Sequence, residues 1–201
     1  MPAPVGNNGE SDFLPMPTDA DLEGLMAGYQ RGDPESAAAL IGLVSPMLHR
    51  YFMVQVVSRR FADDLLQETW LRIHEGRHTY RPREPVLPWL YAIARHVRVD
   101  QYRRVRRVET REQQVEALPE GGQPMPASAA PDFEALLATL PESQREVIVM
   151  LKVSGMSLEE VARATSSSVG SVKQKAHRAY EKLRELLETF SRTKTGERRD
   201  E

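Results

Sequence analysis

The sequence predicts an all-α protein of two small helical bundles joined by a flexible linker, the C-terminal bundle containing a helix-turn-helix. Three observations predict this. Apolar residues recur at spacings of three and four, and no strand-like alternation stands out. A Gly-, Pro-, Ala- and Ser-containing stretch, residues 118–131, divides the periodic chain in two. Residues 139–188 run as a short helix, a tight turn and a basic helix, in that order.

The elements follow from local chemistry. Residues 1–18, rich in Pro, Gly and Asn without apolar periodicity, read as a disordered leader. A first helix, 19–31, carries Leu22, Leu25, Met26 and Tyr29 at helical spacing. Gly32-Asp33-Pro34 breaks it, and Pro34 suits the first turn of the next helix. That second helix places Ala38, Ile41, Val44, Leu48, Phe52 and Val56 on one stripe, and Pro46 is expected to kink or interrupt it. A third helix, 59–75, offers Phe61, Leu66, Trp70 and Ile73 to the core. Residues 76–88 form a loop with three prolines. A fourth helix, 88–107, turns Trp89, Leu90, Ile93 and Val97 inward. The first domain therefore spans 19–107, the linker 108–132, the second domain 133–190 and a charged, disordered tail 191–201. In the second domain Leu140-Pro141 opens a helix. Ser157 and Glu160 form a capping box for the next, and Ser168 is the expected N-cap of the last, which begins near Val169.

Composition narrows the function. With 27 Lys and Arg against 29 Asp and Glu, the net charge of −2 argues against a protein that simply coats nucleic acid. The average conceals segregation. Arg95, Arg98, Arg103, Arg104, Arg106, Arg107 and Arg111 crowd the stretch 95–111 against Asp100 and Glu109. Lys173, Lys175, Arg178, Lys182 and Arg184 crowd another against Glu181. Two basic stripes at the ends of two helical units suggest directed phosphate contact. The absence of cysteine excludes disulfides and thiolate metal sites and fits a reducing cytoplasm. No apolar run approaches a membrane span, and the N-terminus lacks the features of a signal peptide.

Three motifs, in order, carry a family resemblance. The first is Ala62-Asp63-Asp64-Leu65-Leu66-Gln67-Glu68-Thr69-Trp70-Leu71-Arg72. The second is Pro88-Trp89-Leu90-Tyr91-Ala92-Ile93-Ala94-Arg95-His96, followed by Asp100 and Arg103-Arg104. The third runs from Leu140-Pro141 through Leu187. Together they resemble the sigma-70 family of bacterial transcription initiation factors, specifically its extracytoplasmic-function group, over most of residues 19–187. The resemblance implies a cytoplasmic, non-enzymatic alternative sigma factor without cofactor. Its implied partners are core RNA polymerase, through the β′ coiled coil and the β subunit, promoter DNA, and an anti-sigma factor.

The resemblance assigns sites. Asp63, Asp64, Leu65, Gln67, Glu68 and Leu71 would dock on the β′ coiled coil, where charge sets register and apolar burial supplies energy. The 76–88 loop would pocket a flipped base of the minus-ten element. His78, Tyr80, Arg81 and Arg83 are the right types for it, because stacking planes hold unpaired bases. Arg95, Arg98, Tyr102 and Arg106 recur at three and four along the fourth helix, with Arg103 beside them, as a stripe for the minus-ten backbone. Ser171, Lys173, Gln174, Lys175, His177 and Arg178 are candidates for the minus-thirty-five element, since Arg and Lys reach guanine edges and Gln reaches adenine in a major groove. The sequence departs from the family at the turn. Thr165, Ser166 and Ser167 replace an apolar residue, Gly and a second apolar residue, so strain is expected at Ser166, where positive φ is needed. Gln174 and Lys175 replace the more usual Ser and Arg.

Two other readings compete. In one, residues 133–190 belong to a stand-alone helix-turn-helix regulator whose N-terminal half senses a ligand or dimerises. In the other the chain is an enzyme. Glu75 and His78 have the Glu-x-x-His spacing of di-metal bundles, but the motif occurs once, is interrupted by Gly76, and stands at a helix end. No phosphate-binding or dinucleotide fingerprint accompanies it.

Overall fold

The computed structural model describes residues 18–56, 58–112 and 133–196. The described elements are α1 (Asp19–Gln30), α2 (Pro34–Met53), α3 (Arg59–Gly76), a 3-10 turn (Arg77–Thr79), α4 (Val86–Glu112), α5 (Phe133–Ala138), α6 (Glu142–Lys152), α7 (Leu158–Ala164) and α8 (Val169–Gly196). No strand occurs among the described residues.

Five helix starts have a local cause in a side-chain cap. Thr18 and Asp21 form a capping box on α1, and Asp33 accepts from the Glu35 and Ser36 amides at the head of α2, with Pro34 in the first turn. Ser58 caps α3, and Ser157 and Glu160 form the capping box of α7. At α8 the Ser171 amide donates to Ser168 Oγ at 3.2 Å. Helix ends are equally specific. The amides of Gly32 and Asp33 bond back to Tyr29 and Gly28 at 3.1 Å each, the Schellman pattern, with Gly32 at φ 84°. Gly28 of α1 faces Ser36 of α2, and any Cβ there would run into the Ser36 side chain.

Several expectations are corrected. Pro46 does not interrupt α2, which is continuous to Met53. The carbonyl that loses its amide partner belongs to Gly42, and both Gly42 and Pro46 are solvent-exposed. The buried face of α2 is Leu40, Val44, Met47, Leu48, Tyr51 and Phe52, whereas Ala38 and Ile41 are exposed. This helix is apolar nearly all round, so packing by its larger side chains sets its rotation. Helix α4 begins at Val86 and continues to Glu112, into the expected linker. The rest of that linker, 113–132, and residues 1–17 of the leader lie outside the described residues. Helix α8 reaches Gly196, beyond the expected start of the tail.

Helices α1–α4 enclose Leu22, Met26, Leu48, Phe52, Ile73 and Leu90, and α5–α8 enclose Leu137, Ile148, Val161 and Val172, all essentially without exposure. The two groups pack on each other, α4 against α7 and α2 against α6, and their buried residues form one continuous cluster. Tyr51 and Tyr91 stand at this seam. Their rings meet edge to face at 5.3 Å, and burial raises both phenol pKa values far above the ordinary 10. A buried phenol needs a polar partner, and both find one across the seam, Tyr51 in Glu146 at 2.8 Å and Tyr91 in Ser154 at 2.5 Å.

Candidate nucleic-acid and polymerase interfaces

On α3 the helical repeat brings Asp63, Asp64, Gln67 and Leu71 to the surface, with Glu68 half-buried beside them. Leu71 is 56% exposed, more than any buried role allows. Beside it a groove of about 440 Å³ is lined by Ile41, Leu66, Trp70 and Leu71, with Asp63 and Gln67 among its polar residues. The face is braced from behind. His49 Nε2 lies 2.8 Å from Asp63 Oδ1, and Trp70 Nε1 donates to Ser45 Oγ at 2.9 Å. Arg72 holds Glu68 at 3.1 Å and Asp100 of α4 at 2.9 Å. That hydrogen bond from Arg72 holds the Asp100 carboxyl below its ordinary value. Leu65 is the exception within the motif. It is 2% exposed and belongs to the core, because it faces inward one helical turn before Thr69.

The loop between α3 and α4 is tied down. Gln30 Nε2 donates to the carbonyls of Arg77 and Tyr80 at 2.7 and 2.9 Å, and the Arg83 amide donates to Glu23 Oε1 at 2.8 Å. His78, Arg81 and Arg83 are exposed on it. Tyr80 is not available for stacking on a base. It is 3% exposed, packs edge-on against Trp89 at 5.7 Å, and donates its hydroxyl to the Glu84 carbonyl at 2.5 Å. Burial first, then Glu23, Glu84 and Asp19, push its pKa up to about 12. The aromatic spacing around Pro82 and Pro85 does not reveal which ring folds inward.

The stripe on α4 is divided. Arg103 and Arg104 are exposed and Tyr102 is 56% exposed, while the side chain of Arg106 lies outside the described residues. Arg95 is half-buried, and Arg98, 8% exposed, is enclosed at the seam. Arg98 bonds Glu142 through Nη1 and Glu146 through Nη2, the latter at 3.1 Å. Burial opposes its charge, but the neighbouring oxygens outweigh that and its pKa is raised. In this conformation Arg98 therefore faces α6, not solvent. Sequence reasoning missed Glu142, Glu146, Tyr51 and Ser154 because partners 44 to 95 residues apart leave no local pattern.

The helix-turn-helix forms as the sequence expects. Val161, Ala162, Val172 and Ala176 are buried between α7 and α8. Ser166 adopts φ 50°. The Ser166 and Ser167 amides bond to Arg163 and Ala162 at 3.2 and 2.9 Å, completing a Schellman ending on α7. On α8, Lys173, Gln174, His177 and Arg178 are exposed and Ser171 and Lys175 half-buried. His177 pairs with Glu181 at 3.2 Å. Among the described residues, no cluster of three or more His, Asp or Glu is arranged to hold a metal ion, and no helix is long and apolar enough to cross a membrane.

The architecture is thus that of a two-domain helical protein ending in a helix-turn-helix. Comparison with known proteins makes the class specific. The family model for sigma-70 region 2 matches residues 40–108, and that for sigma-70 region 4 matches residues 132–183. The chain is 33% identical over 172 residues to the RNA polymerase sigma factor CarQ of Myxococcus xanthus, covering 81% of this chain and 95% of CarQ. It is 31% identical over 173 residues to the ECF RNA polymerase sigma factor SigF of Caulobacter vibrioides, covering 85% and 96%. Among solved structures, the sigma factor RpoE of Bartonella quintana in complex with the anti-sigma factor NepR superposes with a TM-score of 0.65 at 25% identity, over 77% of this chain and 98% of RpoE.

The chain belongs to the sigma-70 family, in its ECF group, and is an alternative sigma factor. Sigma factors are non-enzymatic initiation factors. The region 2 match over residues 40–108 disfavours a stand-alone regulator with a sensing N-terminal half.

Proposed function

We propose a division of labour between the two groups of helices. The exposed face of α3, with Asp63, Asp64, Gln67, Glu68 and Leu71, docks on the β′ coiled coil of core RNA polymerase. Its groove takes apolar side chains and its carboxylates set the register. His78, Arg81 and Arg83 of the loop and Arg95, Arg98, Tyr102, Arg103 and Arg106 of α4 hold the minus-ten strand. Ser171, Lys173, Gln174, Lys175, His177 and Arg178 on α8 face the minus-thirty-five duplex. Residues 19–107 and 133–190 act as the two working domains and 108–132 as the connection. The second domain also meets the β subunit. The protein performs no catalysis of its own and works in the bacterial cytoplasm.

The observation that carries this reading is an exposed apolar side chain, Leu71, set among the exposed acidic residues of a family motif on α3. The RpoE–NepR complex further supports an anti-sigma partner for this chain. The test is Asp64→Lys in reconstituted transcription with core polymerase. Because Asp64 is exposed, folding should be unchanged while core binding weakens at least about tenfold, equivalent to about 1.4 kcal/mol. Full initiation by the folded variant would reject the docking assignment.

A further inference from the structure

The two basic faces are in different states. On α8 the cationic side chains Lys173 and Arg178 point to solvent. On α4 the arginines nearest the seam are already occupied by α6. Glu142 and Glu146 stand one helical turn apart there. Arg98 bonds both, and Arg95 Nε lies 3.4 Å from the same Glu146 oxygen. Glu146 is 4% exposed, and that oxygen also accepts from Tyr51 at 2.8 Å. The Tyr91–Ser154 bond and a 2.8 Å bond from Arg145 Nη1 to the Val54 carbonyl complete the seam.

Two carboxylates one turn apart offer two guanidinium groups what successive phosphates offer: anionic acceptor oxygens for the same N–H donors. Ion pairs buried in this way add little net stability, yet they leave a costly unpaired charge when one partner is lost. They therefore favour exchange of one anion for another over simple opening. We propose that α6 stands in for the DNA backbone: in the free chain Glu142 and Glu146 cap Arg95 and Arg98, and this self-contact keeps the minus-ten face closed until the α4–α6 seam opens. The proposal rests on the reading of α4 as a DNA face. It concerns the chain's own contacts, without an added inhibitor.

The full-length variant Tyr51→Phe/Tyr91→Phe/Glu142→Gln tests it. The changes keep both rings and both arginines, but they remove two hydroxyl bonds across the seam and reduce the Arg98–Glu142 ion pair to a neutral hydrogen bond. Small-angle scattering should show a larger radius of gyration than for the native chain. Anisotropy with a fluorescein-labelled, mixed-sequence single-stranded DNA at low salt should show about tenfold tighter binding, because apparent affinity scales with the open fraction. Adding Arg98→Gln should remove most of that gain. Equal affinities for two folded proteins, or expansion without tighter binding, would overturn the proposal. Should the triple variant misfold, Glu142→Gln alone decides. Its side chain is 61% exposed, so folding is spared, and about threefold tighter binding is expected; no change overturns the idea. Expansion with tighter binding that survives Arg98→Gln would instead reject the reading of α4 as the DNA face, and with it the proposal.

Discussion

Ser166→Gly should stabilise this protein by about 0.5–1 kcal/mol, the left-handed penalty less the entropy cost of glycine. Ser166 occupies the C′ position of the Schellman ending on α7 at φ 50°. An L-residue there carries a penalty of about 1–2 kcal/mol relative to glycine. Glycine returns about 0.4–1 kcal/mol of that through the greater freedom of the unfolded chain. No buried contact is lost, since Ser166 is exposed. For a chain of 201 residues, the gain corresponds to a rise in Tm of about 1–4 °C. The protein contains its own control in Gly32, which holds the same position of the same motif at φ 84°. Gly32→Ala should lower Tm by a comparable amount. Thermal unfolding followed by circular dichroism, with urea titration alongside, measures both. A fall in Tm for Ser166→Gly, or shifts of the same sign for the two variants, would show that left-handed strain is not what distinguishes these sites.

Three further outcomes are expected. Gly28→Ala should destabilise by about 1–3 kcal/mol, measured by urea unfolding, because the new methyl must displace the Ser36 side chain between α1 and α2. Lys173→Ala should flatten the salt dependence of promoter binding by the polymerase complex, reducing the log–log slope by about 0.9, whereas a base-reading role would instead change preference between sequences. Asp33 and Asp100 are held below their ordinary 3.8 by Ser36 and Arg72 respectively. Their ionised forms therefore favour the folded state at pH values above 3.8, and that contribution disappears as pH falls through the lowered values. Asp100→Asn should make the acid-side loss of stability shallower in a pH series of unfolding curves.

Much was legible in the chain because the responsible forces are local. Ser157-to-Glu160 and Ser168 announce the starts of α7 and α8, and the Gly32-Asp33-Pro34 break needs only three neighbouring residues. Four residues of the Asp63–Leu71 motif reach the surface together because their spacing matches a helical turn. Even the strain at Ser166 follows from a turn that requires positive φ. Rotation and depth were not legible. Leu65 and Tyr80 carry the residue types of a binding site, yet packing against distant helices takes them inside. Pro46 looks like a break, but it is tolerated because the carbonyl it orphans lies on the wet side of α2.

The sequence by itself determined the all-helical class, the caps, the helix-turn-helix and the basic and acidic faces, since each depends on residues within a few positions of one another. Only the tertiary structure decided that Arg98 faces Glu142 and Glu146, and that Tyr51 and Tyr91 reach into the opposite bundle. Those contacts join residues 44 to 95 positions apart. They form because buried charge and buried hydroxyl must find partners, and the closing of the two bundles determines which partners are within reach.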